Sequence, residues 1–316
     1  GYTDVFHCLK TIGGKVMETN ILLESGTNEL EILEFMVAGN SYGIHVAKIR
    51  EILPYKQPTP IPNAHPLIEG IFMPRDQIIT IINLSKCLTG QSKMDVTSDM
   101  YIVTNFNQLN VGFHVDSVVG IQRISWADIA KPDATLENSG NGIATGIIKL
   151  TGKLIVILDF EKIVSDISPD TGLKVSAIDH LTNRVRNDIP ILTAEDSPLL
   201  RKLIHDCLVK AGYTNIISAV NGQEAWDLLE KYKSEGTVEE NVQCVITDIE
   251  MPQMDGHRLT KLIKTDDELK HIPVVIFSSL VNDEMRRKGE SIGADAQLSK
   301  PEIGLLVEAI DKLLLK

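Results

Sequence analysis

At 316 residues the chain exceeds what one compact core usually holds and implies at least two domains. A net charge of −12, with no large basic block, argues against nucleic acid or an anionic membrane surface as the main partner and leaves divalent cations and basic protein surfaces. The 4 cysteines are widely spaced with no CxxC, and no apolar run approaches membrane-spanning length, so a disulfide framework, a zinc site and a signal or membrane segment are not expected and the cytoplasm is the default.

Residues 1–30 form an N-terminal segment with room for a short helix. From Glu31 the texture changes: ILEFMVAGNSYGIHVAKIREIL reads as two strands around a Gly39-Asn40-Ser41 turn. Prolines at 54, 58, 60, 62 and 66 forbid regular helix beyond it. Gly70–Phe72 and Ile78–Leu84 read as a hairpin around Pro74-Arg75-Asp76. Tyr101–Val103, Val111–Val119, Ile143–Lys149 and Leu154–Phe160 complete an all-β region.

That region contains a repeat. GIFMPRDQIITIINLSKCL from Gly70 matches GIIKLTGKLIVILDFEKIV from Gly146 at an offset of 76, with Asn83-Leu84 on Asp159-Phe160 and Lys86 on Lys162. GIHVAKI from Gly43 matches GFHVDSV from Gly112 at an offset of 69. Two copies of one β unit imply two similar small barrels or sheets, with about seven extra residues of the second copy placed in Lys131–Asn141. His45 and His114 take equivalent places and read as repeated strand residues, because no ligand spacing surrounds them. The GxG within Gly140–Gly146 lacks a following helix and is not a dinucleotide site. Trp126 reads as core.

Glu161–Ile167 reads as a closing helix, and 168–188 as a linker. From Ile189 five strand candidates (189–193, 215–219, 242–247, 273–277, 296–298) alternate with amphipathic helices, the pattern of a doubly wound parallel sheet. Ser197-Pro198 suits the start of the first helix. No residues remain for a DNA-binding output domain.

Polar residues gather at the carboxyl ends of these strands: Glu195-Asp196 after the first, Asp248 after the third, Ser278 at the fourth and Lys300 after the fifth. Open α/β sheets place their chemistry at that edge. Clustered carboxylates repel one another, and a hard divalent cation such as Mg²⁺ resolves the repulsion, held by Asp196 and Asp248 with Glu195 acting through water. A lysine and a hydroxyl beside them suit a phosphoryl group, and Asp248 is placed to be its nucleophilic acceptor. A haloacid-dehalogenase-type phosphatase would need an aspartate two residues after the nucleophile, where Glu250 stands.

Residues 189–316 resemble a response-regulator receiver domain of flavodoxin-like (βα)5 fold. The matching positions are Glu195-Asp196, Asp248 in DIEMPQMDG, Ser278, and Lys300 in its Lys-Pro pair. The resemblance implies phosphorylation on Asp248, Mg²⁺ with the Glu250 backbone carbonyl among its ligands, and Ser278 and Lys300 as phosphoryl-stabilising switch residues. The place three before Lys300 normally carries an aromatic switch residue; here it is Gln297. The Glu250 side chain is expected to alter the lifetime of the phosphate.

Residues 31–167 resemble the CheW family of chemotaxis coupling domains, on YGIHVAKIREIL, IPNAHPLIEGIFMPRDQIITIINL, VDSVVGIQRISWADI and TGIIKLTGKLIVILDFEKI. That resemblance implies two small five-stranded barrels, no catalytic centre, and a bridge between chemoreceptor cytoplasmic tips and the histidine kinase CheA. Glu51 and Arg75 fall on the family's paired glutamate and arginine, so a salt bridge on the coupling surface is expected. The two together resemble the CheV family of hybrid coupling proteins: a phosphorylatable scaffold, not an enzyme on outside substrates, located at receptor arrays. The alternative is a phosphate sink draining CheA.

Overall fold

The computed structural model describes residues 26–107, 109–133, 142–169, 178–179, 181 and 184–315. The expected N-terminal helix lies outside these residues, as do most of the linker and of the extra residues of the second copy. The described residues form two compact units, one over 30–124 and 130–169, the other over 184–315 together with 26–29 and 125–129.

The first unit is β-rich. A six-stranded sheet runs in the order β8 (Ser117–Ser125), β1 (Glu29–Val37), β2 (Asn40–His45), β11 (Lys153–Leu158), β10 (Ala144–Leu150), β9 (Ile129–Ala130). A five-stranded sheet runs β3 (Ile49–Pro54), β6 (Met100–Phe106), β7 (Leu109–Val115), β5 (Ile79–Asn83), β4 (Ile68–Phe72). Under the repeat, β3 corresponds to β8, β6 to β1, β7 to β2, β5 to β11 and β4 to β10, so both sheets share one order. Each sheet, however, mixes the copies: the β1–β2 hairpin of the first lies with β8, β10 and β11 of the second. The copies have exchanged hairpins, which binds them into one body around Phe35, Ile82, Phe113 and Phe160.

The repeat extends to local devices. Asn83 accepts from the Lys86 N–H at 2.8 Å and caps α1 (Leu84–Thr89); Asp159 accepts from the Lys162 N–H at 2.9 Å and caps α2 (Phe160–Ile167). Gly43 and Gly112 each admit a close isoleucine, Ile32 and Ile81, whose side-chain carbon lies 2.6 Å from where a Cβ would stand.

Two expected details change. The first turn is Ala38-Gly39, one residue earlier than expected, because Val37 pairs with Asn40 and both turn residues take positive φ (48° and 79°). The Ala38 N–H is held by Asp116 Oδ2 at 2.8 Å. The expected strand Val111–Val119 is broken into β7 and β8 at that same Asp116, whose N–H donates to the Met36 carbonyl at 2.9 Å.

His114 is more than a repeated strand residue. It is 6% exposed, with Nδ1 2.7 Å from Glu69 Oε1 and Nε2 2.8 Å from Asp99 Oδ2. Burial alone would lower its pKa; hydrogen bonds and charge from Glu69 and Asp99 outweigh burial and raise it.

The second unit is a parallel sheet in the order β13 (Ile216–Ala219), β12 (Ile191–Ala194), β14 (Cys244–Thr247), β15 (Val274–Ser278), β16 (Ala296–Ser299). Its strands are short and apolar because both faces are covered. On one face α3 (Pro198–Lys210) and α8 (Ile303–Leu314) pack through Ile204, Leu208, Leu306 and Ile310. On the other, α4 (Gly222–Glu235) and α6 (Gly256–Thr265) pack through Leu229, Leu259 and Ile263. The short α5 (Val238–Asn241) was not anticipated, while α7 (Asp283–Ser291) lies between β15 and β16 in sequence. The strand order reverses between β12 and β14, which opens a crevice at their carboxyl ends.

Candidate functional site

Asp248 directly follows β14 and opens a tight loop that ends at α6. The loop is closed by the Gly256 N–H on the Ile249 carbonyl, at 2.9 Å. Gly256 is dictated by contact: a Cβ there would sit 1.8 Å from the Asp248 carbonyl oxygen. Asp255 caps α6 by accepting from the Arg258 N–H at 2.6 Å, so the loop and the helix start form one piece.

Glu195 follows β12 and is 1% exposed. Its Oε1 accepts from the Ser197 N–H at 3.1 Å, just before α3, which Ser197 caps. Arg201, on the first turns of that helix, donates to the Glu195 carbonyl at 2.9 Å and the Asp196 carbonyl at 3.4 Å. The guanidinium thus fixes the backbone from which both acidic side chains leave, a role no sequence spacing announced.

Lys300 follows β16, and its N–H donates to the Ser278 carbonyl at 3.2 Å, joining two strand ends. Its Nζ lies 3.0 Å from Asp248 Oδ2 and 3.0 Å from Glu195 Oε2. Ser278 is fully buried and its side chain hydrogen-bonds Asp248. The other oxygen of Asp248, Oδ1, accepts from the Ile249 N–H at 2.8 Å. Glu195, Asp196, Asp248, Ser278 and Lys300, spread over 106 positions (195 to 300) of the sequence, are therefore one cluster.

Burial raises the pKa of Asp248, against the charge of Lys300 and the Ser278 hydrogen bond; Glu250 adds repulsion. Burial likewise pushes Glu195 up to about 8, against Lys300, with Asp248 and Asp196 adding to the rise. One ammonium does not offset three carboxylates. The carboxylate oxygens of Glu195, Asp196 and Asp248 come within 4.8 Å of one another, so this hard-oxygen set fits a small divalent cation.

Gln297 lies on β16 beside α7, with its Nε2 donating to the Arg286 carbonyl at 2.8 Å. Gly289 lies beneath it: a Cβ there would stand 2.1 Å from the Gln297 side-chain oxygen, so the amide would have to swing aside.

In the β-rich unit, Arg75 at the β4–β5 tip places Nη2 3.1 Å from Oε2 of Glu51 on β3. The Arg75 side chain is 73% exposed and that of Glu51 11%.

Comparison with known proteins agrees with both units. Residues 31–168 match the CheW-like domain family, and residues 191–311 the response regulator receiver domain family. The chain is similar to the chemotaxis protein CheV3 of Helicobacter pylori, 32% identical over 300 residues that cover 91% of this chain and 95% of that protein. It is similar to CheV2 of the same organism, 28% identical over 91% of this chain and 95% of that protein. Its first part is similar to the chemotaxis protein CheW of Thermotoga maritima, 30% identical over 48% of this chain and 98% of that protein. No helix among the described residues is long and apolar enough to cross a membrane.

Proposed function

We infer the function from kinship and site together: the chain belongs to the CheV family of chemotaxis proteins, in which a CheW-like domain and a receiver domain share one polypeptide. It is a coupling protein with a phosphorylatable receiver. The observation that carries the reading is the buried Asp248 with Lys300 at 3.0 Å, in one chain with a CheW-like domain.

In the proposed reaction Asp248 takes a phosphoryl group from a phosphohistidine of the kinase CheA. The P–N bond to the imidazole breaks as a P–O bond to a carboxylate oxygen forms, and the imidazole keeps the electron pair and takes up a proton. Lys300 is placed to neutralise the phosphoryl oxygens and Ser278 to donate to one of them. Glu195, Asp196 and Asp248, with the Glu250 backbone carbonyl, would hold Mg²⁺. Bound there, the cation supplies positive charge against the transferring oxygens. Arg201 and the Ser197 N–H keep the acidic pair in place. The kinase phosphohistidine is the one phosphodonor in this scheme, and loss of the phosphate from Asp248 to water would complete the cycle.

The CheW-like domain would bridge chemoreceptor cytoplasmic tips and CheA at receptor arrays, with Glu51 and Arg75 on the contact surface. Phosphorylation would then change how the chain holds receptor and kinase. The test is phosphotransfer from purified, phosphorylated CheA with and without Mg²⁺. Label should pass to the parent and not to Asp248→Ala; transfer that survives the substitution would refute the site.

A further inference from the structure

Two short segments from the first half of the chain belong to the receiver's compact unit, and they meet it at the phosphoacceptor loop. Asn28 Nδ2 donates to the Gln253 carbonyl at 2.7 Å, and Asn28 Oδ1 accepts from the Asp255 N–H at 2.9 Å. The Gln253 N–H donates to the Trp126 carbonyl at 3.0 Å, and the Trp126 N–H donates to the Asn28 carbonyl at 3.0 Å. Asn28, Trp126 and Gln253 thus close a ring of three hydrogen bonds. Ser125 Oγ adds a bond to the Asn28 carbonyl at 3.3 Å, and Arg258 adds one to the Gly26 carbonyl at 3.2 Å.

The geometry is specific. Gln253 and Asn28 both take positive φ, 68° and 67°, which turns their backbone groups toward each other's segment. Asparagine tolerates that conformation better than most residues. Its amide also offers a donor and an acceptor at once, which neither aspartate nor leucine does. Gly26 has φ of 76°, and a Cβ on it would stand 2.7 Å from Lys261 Cδ. Gln253 is exposed, so water would satisfy its backbone groups; partners 127 and 225 positions away in sequence satisfy them instead.

We propose that Asn28 is a positioning residue for the phosphoacceptor loop, and that its ring with Trp126 and Gln253 carries the phosphorylation state of Asp248 to β1 and β8. This rests on the reading of Asp248 as the phosphoacceptor. Phosphorylation turns the carboxylate that holds the Ile249 N–H into an acyl phosphate. The loop from Ile249 to Gly256 is cross-braced by Gly256 on Ile249, Met254 on Pro252 and Gly222 on Met254, so a shift at Ile249 reaches Gln253 through few soft torsions. Asn28 immediately precedes β1, Trp126 immediately follows β8, and β1 and β8 are neighbours in the six-stranded sheet. A loosened ring therefore acts on the adjoining ends of two paired strands.

The experiment is amide hydrogen exchange on the full chain, comparing the parent, Asn28→Ala and Asp248→Ala, each with and without Mg²⁺ and beryllium fluoride as the phosphoryl mimic. Without the mimic, Asn28→Ala should speed exchange at Gln253, Asp255 and Trp126 about tenfold, from loss of two hydrogen bonds. With the mimic, exchange at Trp126 should rise in the parent and no longer respond in Asn28→Ala or Asp248→Ala. The Leu280 N–H, which donates to Ser278 Oγ at 3.3 Å, reports the site itself and should respond in the parent and in Asn28→Ala. A response at Leu280 with none at Trp126 in the parent overturns the proposal, as does a Trp126 response that Asn28→Ala leaves intact. No response at Leu280 in the parent instead removes the phosphoacceptor reading, and the proposal with it.

Discussion

The Lys300 ammonium lies 3.0 Å from Asp248 Oδ2, and both side chains are buried, 7% and 6% exposed. The same ammonium lies 3.0 Å from Glu195 Oε2. Lys300→Met leaves the buried Asp248 carboxylate without its cation, beside a Glu195 whose pKa burial already pushes up to about 8. Removing one partner of a buried pair costs on the order of 3 kcal/mol, less where the orphaned carboxylate can protonate. We expect that loss at pH 7, a smaller loss at pH 5, and phosphotransfer slowed at least tenfold on the scale of electrostatic catalysis. Denaturant unfolding at both pH values, with phosphotransfer alongside, checks it. Unchanged transfer would remove Lys300 from the site.

The charge of Glu250 acts on Asp248, where it adds to the raised pKa. Its removal in Glu250→Asn eases the approach of anionic phosphate oxygens and of water. The expected result is a changed dephosphorylation rate with Asp248 still the phosphorylated residue. Equal decay of phosphorylated parent and variant would sink the idea that this side chain sets phosphate lifetime.

His114 gives the β-rich unit a pH dependence. Its pKa is raised in the folded state, so its stabilising contribution is complete below about 6.5, the unfolded value, and is lost as pH rises through the folded value. The difference in unfolding free energy between the parent and His114→Gln should therefore shrink above pH 6.5. A difference that stays constant from pH 6 to pH 9 would show that the charge on the ring is not what Glu69 and Asp99 hold.

The Arg75–Glu51 pair separates stability from recognition. Arg75 is 73% exposed, and exposed pairs contribute about 0–1 kcal/mol. Arg75→Ala should leave the unfolding midpoint nearly unchanged and weaken binding to CheA or receptor fragments. Intact binding to both would take the pair off the coupling surface.

The sequence by itself determined which residues gather at the receiver's candidate site. Glu195, Asp196, Asp248, Ser278 and Lys300 each follow or end an apolar run, and a parallel sheet brings the carboxyl ends of its strands to one edge whatever the loops do. The repeat was legible for a similar reason: its caps Asn83 and Asp159 and its close-approach glycines Gly43 and Gly112 are local requirements that recur at fixed offsets. Only the tertiary structure decided how the copies exchange hairpins, because strand pairing between distant segments leaves no periodic trace in either. It alone decided that Asp116 ends β7, that Glu69 and Asp99 enclose His114, and that Gly289 accommodates Gln297. It also decided the place of Asn28, whose partners Gln253 and Asp255 lie 225 and 227 positions away. A hydrogen bond at that separation depends on where two backbones meet, and no local preference of asparagine records it.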